Sequence, residues 1–415
     1  MNGSDTAFML IATALAFMMT PGMAFFYCGL GRRKNAVNNL MAVVFSMGAV
    51  VALWIAAGYS LTYSGNAFGV IGSLRDAGLA GIALTDVSPY AENLPALVFV
   101  AFQMMFALIT PAILSGAVAG RMKFRAWCVF VVFWSLIVYY PLAHMIWGAG
   151  GILGATGLGA VDFAGGSVVH VNAGVSGLVL CIMLGRRNGY ERLSHRAHNV
   201  PFVALGMALL WFGWFGFNTG SALAANALTS HVVMTTFASA ASGLLAWMLI
   251  DACREDRPTL IGSCTGAIVG LVAITPCAGF VPVWAALVIG FVGGILSYYT
   301  VVLIKERLRI DDALDVFGCH GAGGIWGSLA AGIFASPEIS GGLCTGLVYG
   351  GTRQLWVQLV VTGIAILFAA SGTIICVSIA RSFTQLRVGK RDELAGLDAA
   401  QHGEMAYPSF TGLDR

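Results

Sequence analysis

Long apolar runs, broken at short intervals by knots of charge, make up nearly the whole chain. A helix that crosses a bilayer needs about 20 predominantly apolar residues, with a range of about 17–25. Eleven such spans can be drawn. They are roughly Ala7–Gly31, Val37–Tyr63, Leu94–Gly120, Ala126–Leu142, Phe163–Gly185, Val200–Thr219, Val232–Cys253, Leu260–Ala273, Phe280–Ile304, Ala313–Phe334 and Leu347–Ala380. The pattern predicts an all-α polytopic membrane protein with eleven transmembrane helices. The eighth span is short and glycine-rich, which suits a helix buried among others. The last is long enough to tilt strongly or to run past the bilayer.

One spacing recurs within this pattern. Asp162, His170, Gly174 and Gly177 lie in DFAGGSVVHVNAGVSG, and Asp312, His320, Gly324 and Gly327 in DALDVFGCHGAGGIWG. Each member of the second set follows its counterpart by 150 residues. Gly116, Ala117 and Gly120 stand in the same relation to Gly266, Ala267 and Gly270. Spans one to five therefore read as related to spans six to ten. An odd number of helices per unit makes the two copies inverted, with a site expected at their interface near the midplane. His, Gly and Gly at i, i+4 and i+7 share one helical face. Small residues there admit a neighbouring helix and aim the imidazole into the seam. An ionisable side chain inside a membrane is a functional-site hypothesis by default.

Charge sets the orientation. Twenty of the 22 basic residues fall in the segments after spans one, three, five, seven and nine and in the tail; Arg75 and Arg353 lie on the other side. The excess of basic residues marks the cytoplasmic side. The N-terminus is expected outside and the tail in the cytoplasm, in a cell inner membrane. Residues 1–385 read as the membrane domain and 386–415 as a cytoplasmic tail, which by composition alone reads as a solvated, frayed terminus. The loop from Ser64 to Asn93 reads as external. No basic residue precedes the first span, which argues against an intact secretory signal.

Composition removes other classes. With 58% hydrophobic and 10% charged residues, the chain has too little polar surface for a soluble core; soluble domains average about 25% charged. No basic run interleaved with aromatics suggests nucleic acid as a partner. The nine cysteines lack CxxC spacing, so they read as small buried hydrophobes rather than as a metal or redox site. No nucleophile–base set appears, so an enzyme is not expected, nor a cofactor.

Taken together the motifs resemble the ammonium transporter family, in its Amt/Mep branch. The resemblance covers essentially the whole chain: TPGMAFFYCGLGRRKN, AFQMMFA, PLAHMIWG, DFAGGSVVHVNAG, GWFGFNTGSA, DDALDVFGCHGAGGIWG and, in the tail, ELAGLDAAQHGEMAYP, in that order. It implies eleven helices, a pore in each subunit, a homotrimer, and a cytoplasmic dock for a trimeric PII-type signal protein. Departures are few. Cys28 stands where the family usually has a small residue, and Pro111 lies inside the third span, where neighbours must satisfy the freed carbonyl.

The chemistry of ammonium explains what such a pore needs. Desolvating a small bare cation costs several kcal/mol even after relaxation, and on the order of 20 kcal/mol ideally. Removing its proton at neutral pH costs about 4–5 kcal/mol for an amine near the lysine reference. A dry pore that strips the proton can pass neutral ammonia and reject potassium. The resemblance places recruitment at Phe102, Phe106, Trp147 and Ser221, a gate at Phe106 and Phe217, and twin pore histidines at His170 and His320. It gives Asp162 a part in supporting the vestibule or in deprotonation. On pattern alone, Phe102 and Phe106 at i, i+4 more often mean lipid or core packing, Trp147 suits an interfacial belt equally well, and Asp162 suits an N-cap. Asp312 reads as structural. His144 reads as a local hydrogen-bonding residue, and His195 and His198 as solvated. Two rival functions remain at this level: a passive conduit for neutral ammonia or another gas, as in the Rh branch, and an ammonium sensor that transports little.

Overall fold

The computed structural model describes residues 1–191, 196–254 and 256–407. Its helices are α1 Gly3–Leu30, α2 Arg33–Tyr63, α3 Ala96–Val118, α4 Phe124–Trp147, α5 Gly166–Leu184, α6 Val200–Gly220, α7 Ala227–Arg254, α8 Leu260–Ile274, α9 Val283–Arg307, α10 at 317–334 and α11 Arg353–Phe383. Among the described residues, nine of these are long and apolar enough to cross a bilayer; α8 is apolar but shorter. The molecule is a helical polytopic membrane protein.

Side chains start several of the helices. Asn2 accepts from Ser4 N–H at 2.9 Å, Asn199 from Phe202 N–H at 3.0 Å, and Thr259 from Gly262 N–H at 2.9 Å. Each satisfies a donor that has no partner within its own first turn. Prolines shape the interiors. Pro21 lacks an N–H and crowds the carbonyl four residues back, and α1 is interrupted at Met18. Pro141 does the same in α4, which bridges the defect with a π-helical turn at Ser135–Tyr139. The helix then runs on to Trp147, past the expected end at Leu142. The eleventh helix instead begins later than expected, at Arg353, after a short turn at Leu347–Tyr349.

Glycine fixes the closest crossings. A Cβ on Gly206 of α6 would strike the Phe26 backbone of α1, and one on Gly174 of α5 would strike the Gly321 backbone. The loop expected between Ser64 and Asn93 holds more order than its composition suggests. It carries a short hairpin, β1 (Val87–Ser88) against β2 (Ala91–Pro95).

The frayed tail expected from composition is overturned for residues 384–407. The chain turns back after α11, Val388 N–H donates to Arg121 O at 3.0 Å, and α12 forms at Lys390–Ala395. The buried Glu393 pairs with Arg387 at 2.8 Å and accepts from Asn188 Nδ2 at 2.7 Å. Leu397 N–H donates to Asn35 Oδ1 at 2.9 Å, and Asn38 N–H to Asp398 Oδ1 at 2.8 Å. The tail thus closes over the segments that follow α1, α3 and α5. Arg192, His195 and residues from Pro408 to Arg415 lie outside the described residues.

Candidate functional site

The site begins where α4 ends. Trp147 is held by its indole, which donates from Nε1 to Asp162 O at 2.8 Å. The Asp162 carboxylate is in turn saturated. Oδ1 accepts from Gly165 N–H at 2.8 Å and Gly166 N–H at 2.6 Å; Oδ2 accepts from Ser167 N–H at 2.8 Å and Val168 N–H at 3.2 Å. These are the donors that the start of α5 leaves free. Gly165 makes the reversal possible with φ of 106°, a conformation that L side chains rarely adopt. One residue thereby orients both the tryptophan and the helix that carries His170.

Trp147, Ser221, Phe106, Asp162, Gln103 and Leu223 are among the residues around a cavity of about 170 Å³. The Ser221 hydroxyl donates to Phe217 O at 3.0 Å, which leaves its lone pairs free to accept. Beneath the cavity lies an aromatic plug. Phe106 meets Trp147 edge-on at 5.5 Å and stacks on Phe217 with centroids 4.0 Å apart and planes at 26°. Both phenyl rings are fully buried.

The two histidines follow. Trp214 meets Phe217 edge-on at 6.0 Å and stacks on His170 at 5.4 Å. Its indole is fixed by Thr275 Oγ1 at 2.8 Å. His170 and His320 bring their Nδ1 atoms to 3.3 Å, and both rings are buried. Each sits in a π-helical turn, Gly166–Val171 and Phe317–Gly321, a feature frequent at functional sites. An Nδ1–Nδ1 hydrogen bond requires one ring to donate and the other to accept. The pair therefore presents one Nε2 acceptor and one Nε2–H donor to its surroundings. His170 Nε2 is buried without a partner among the described residues.

The family model described as Ammonium Transporter Family matches residues 7–407. The chain belongs to the ammonium transporter family. It is 42% identical to the ammonium transporter of Bacillus subtilis over 98% of its own length and 99% of that protein. Its fold is similar to the crystal structure of Candida albicans Mep2, with a TM-score of 0.88 at 33% identity, covering 98% of this chain and 90% of that one. It is also similar to a structure described as a sensor Amt protein, with a TM-score of 0.86 at 29% identity and coverage of 96% and 98%.

In this family member Phe102 does not line the cavity. It is fully buried, edge-on to Phe106 at 5.2 Å and against Gly220, so it backs the Phe106 ring. His144 bonds Thr62 O at 2.8 Å and Asn66 Oδ1 at 3.2 Å, the local role expected. His198 departs from expectation. Rather than standing in solvent, it bonds Gly31 O and the Tyr407 hydroxyl, each at 3.1 Å. His402 joins the docked tail to Asn38 at 3.0 Å. Sequence reasoning missed Trp214 and Thr275, since a lone Trp in GWFGF reads as lipid-facing. Among the described residues, no group of three or more His, Cys, Asp or Glu could hold a metal ion.

Proposed function

We propose that the chain carries ammonium across the cell inner membrane by recruiting the cation at an outer vestibule and stripping its proton. Ammonia then passes between Phe106 and Phe217 and along His170 and His320, while the proton is relayed separately into the cytoplasm. The observation that carries this reading is the sequence of environments along one line. A tryptophan face and an acceptor hydroxyl come first, then two stacked phenyl rings, then two coupled imidazoles. The Trp147 face can attract a desolvating cation by about 0.5–2 kcal/mol, and the Ser221 oxygen can accept an ammonium N–H. Stacked rings at 4.0 Å leave no room for a hydrated ion. The imidazoles offer polar edges where bare ammonia would otherwise meet hydrocarbon, and they share a hydrogen bond along which a proton can pass. The saturated carboxylate of Asp162 supports its reading as the strut of the vestibule over its reading as a base.

The wider organisation belongs to the same proposal. Counting α8 and α10 with the nine longer helices gives eleven crossings. The placing of Asp162 and His170 like Asp312 and His320 supports two inverted five-helix units plus α11. The basic residues support an external N-terminus and a cytoplasmic tail, with 1–385 as membrane domain and 386–415 as regulatory tail. The packing of that tail over three loops supports this face as the dock for a PII-type protein, on a homotrimer.

The test is a solid-supported or patch recording from liposomes that hold the full chain. An ammonium step is expected to give an inward transient current and a potassium step none. His170→Ala and His320→Ala should each abolish the ammonium current while the protein remains folded. The likeness to a sensor Amt protein favours one further reading, an ammonium-binding sensor. Ammonium binding with neither current nor a change in internal pH would establish that reading and reject transport. A change in internal pH without current would instead favour the passive conduit.

A further inference from the structure

The residues at the lip of the vestibule are held by side chains from distant parts of the chain. After α6 the backbone runs through Ser221, which faces the cavity, to Leu223, which also lines it. Leu223 has φ of 55°. A residue with a branched side chain enters the left-handed region only at a cost that its surroundings must offset. Two residues do so. The Asn93 amide, in β2, donates from Nδ2 both to Leu223 O at 2.9 Å and to Asp5 Oδ2 at 2.9 Å. The other oxygen of Asp5, in the first turn of α1, accepts from Ala225 N–H at 2.8 Å. Asn93 O accepts from Asn2 N–H at 2.7 Å, which ties the start of α1 into the same knot.

We infer that Asp5 and Asn93 are positioning residues for ammonium recruitment. They clamp 223–225 just after its strained residue, whose own N–H donates to Gly220 O at 2.9 Å, and so hold the Ser221 hydroxyl and the Leu223 side chain at fixed places opposite Trp147. Neither residue touches the cation. The bonds stay intact as long as the carboxylate and the amide face each other. The clamp sets how well the site is organised before ammonium arrives, and so affects binding and not passage through the aromatic plug. This rests on the reading of the cavity as the entry site for ammonium.

The experiment uses the full chain in liposomes and, separately, in detergent. Asp5→Ala and Asn93→Ala should each raise the apparent KM of the ammonium current roughly five-fold, the scale of one residue's backbone strain, with the maximal current held within about two-fold. Measured against Leu223→Gly alone, which itself removes a cavity-lining side chain, Asp5→Ala and Asn93→Ala should raise KM much less than they do in the wild-type background, because glycine takes a positive φ without help. Amide hydrogen exchange should independently report faster exchange across 221–226 in the two alanine variants. Unchanged KM with unchanged exchange overturns the clamp. So does an equal rise in KM in the Leu223→Gly background, or a fall in maximal current beyond about two-fold, which would mean general destabilisation. If Asp5→Ala does not fold, Asn93→Ala with and without Leu223→Gly decides alone. A wild-type chain that gives no ammonium current removes the transport reading, and the exchange measurement still decides the clamp.

Discussion

Two turns 150 residues apart do the same work with different means. Asp162 precedes the π-helical turn that holds His170, and Asp312 precedes the one that holds His320. At the matching point of each reversal the backbone is left-handed: Gly165 has φ of 106° and Asp315 has φ of 61°. The surroundings then part. Asp162 accepts four backbone N–H groups and has no acceptor site to spare. Asp312 accepts from Phe317 N–H at 2.7 Å, and its Oδ1 is buried without a partner among the described residues. Around it stand charges: Lys305 paired to Asp315 at 2.6 Å, and Arg187 gripping Asp311 at 2.6 Å. One turn is fixed by a neutral cradle of amides, the other by ion pairs. The backbone device that aims a histidine at the seam is therefore indifferent to how its N-terminus is satisfied, provided that it is satisfied.

The largest expected effect breaks the comparison at the carboxylates. Asp162→Ala orphans four N–H groups at once and loosens the turn whose carbonyl anchors Trp147, and should cost at least about 3 kcal/mol. Asp312→Ala orphans one and removes an acid already short of partners, and should cost about 1 kcal/mol. Thermal unfolding in detergent, with the ammonium current recorded alongside, gives the order. Equal losses would mean that the amide cradle carries no special weight. A smaller effect lies at the reversals. Gly165→Ala adds a Cβ at 2.6 Å from Val169 Cγ2 on a backbone that opposes it, at about 2–3 kcal/mol. Asp315→Gly relieves strain of about 1–2 kcal/mol while losing its partly buried pair with Lys305, so it should be neutral within about 1 kcal/mol. The same unfolding midpoints check both, and a destabilising Asp315→Gly would make the ion pair, and not the reversal, the dominant feature of the inner turn.

Much of this was legible before any coordinates. The shared offset of His170 and His320 identified a pair of imidazoles that meet, and Gly174 and Gly324 marked the face where their helices cross. Phe106 and Phe217, which the family resemblance joined, do stack. What stayed hidden depends on contacts that no local pattern encodes. The π-helical turns are invisible to a periodicity of 3.6, because one inserted residue changes the register without changing the composition. Trp214 looks like any lipid-facing aromatic until His170 is placed against it. Phe102 shares a helical face with Phe106, yet Gly220 draws it inward and away from the cavity. The tail reads as polar and free because its partners, Asn35 and Asn38 at the start of α2 and Asn188 after α5, are themselves ordinary polar residues hundreds of positions earlier. Asp5 and Asn93 are unremarked for the same reason.

The smallest effect also separates the two turns most sharply, because it isolates a single proton. Burial first, and then the charge of Asp315, push Asp312 up to about 6. Burial would raise its neighbour Asp311 too, but the paired Arg187 and the nearby Arg121 outweigh it and hold that carboxyl at about 2. The two contributions to stability have opposite signs. A carboxyl raised in the folded state contributes stability that is fully present below the ordinary value near about 4 and lost as pH rises through about 6. A lowered one contributes stability that is present above about 4 and lost as pH falls through about 2. Of these two carboxyls only Asp312 contributes a slope between about pH 4 and 6, downward with rising pH and no steeper than about 1.4 kcal/mol per pH unit, on top of the opposite slope of groups such as His402 in the tail, whose imidazole is lowered by burial. In a chain of this size that amounts to a few degrees at most in the unfolding midpoint. Asp312→Asn should remove this downward component, so that the variant gains on wild type as pH rises, whereas Asp311→Asn should lower the whole curve and leave its tilt. Midpoints taken at about pH 4.5 and about pH 7 in wild type and both variants measure this directly. A difference between Asp312→Asn and wild type that does not change with pH would move the titrating proton off the inner turn, and the unpartnered oxygen would no longer distinguish Asp312 from Asp162.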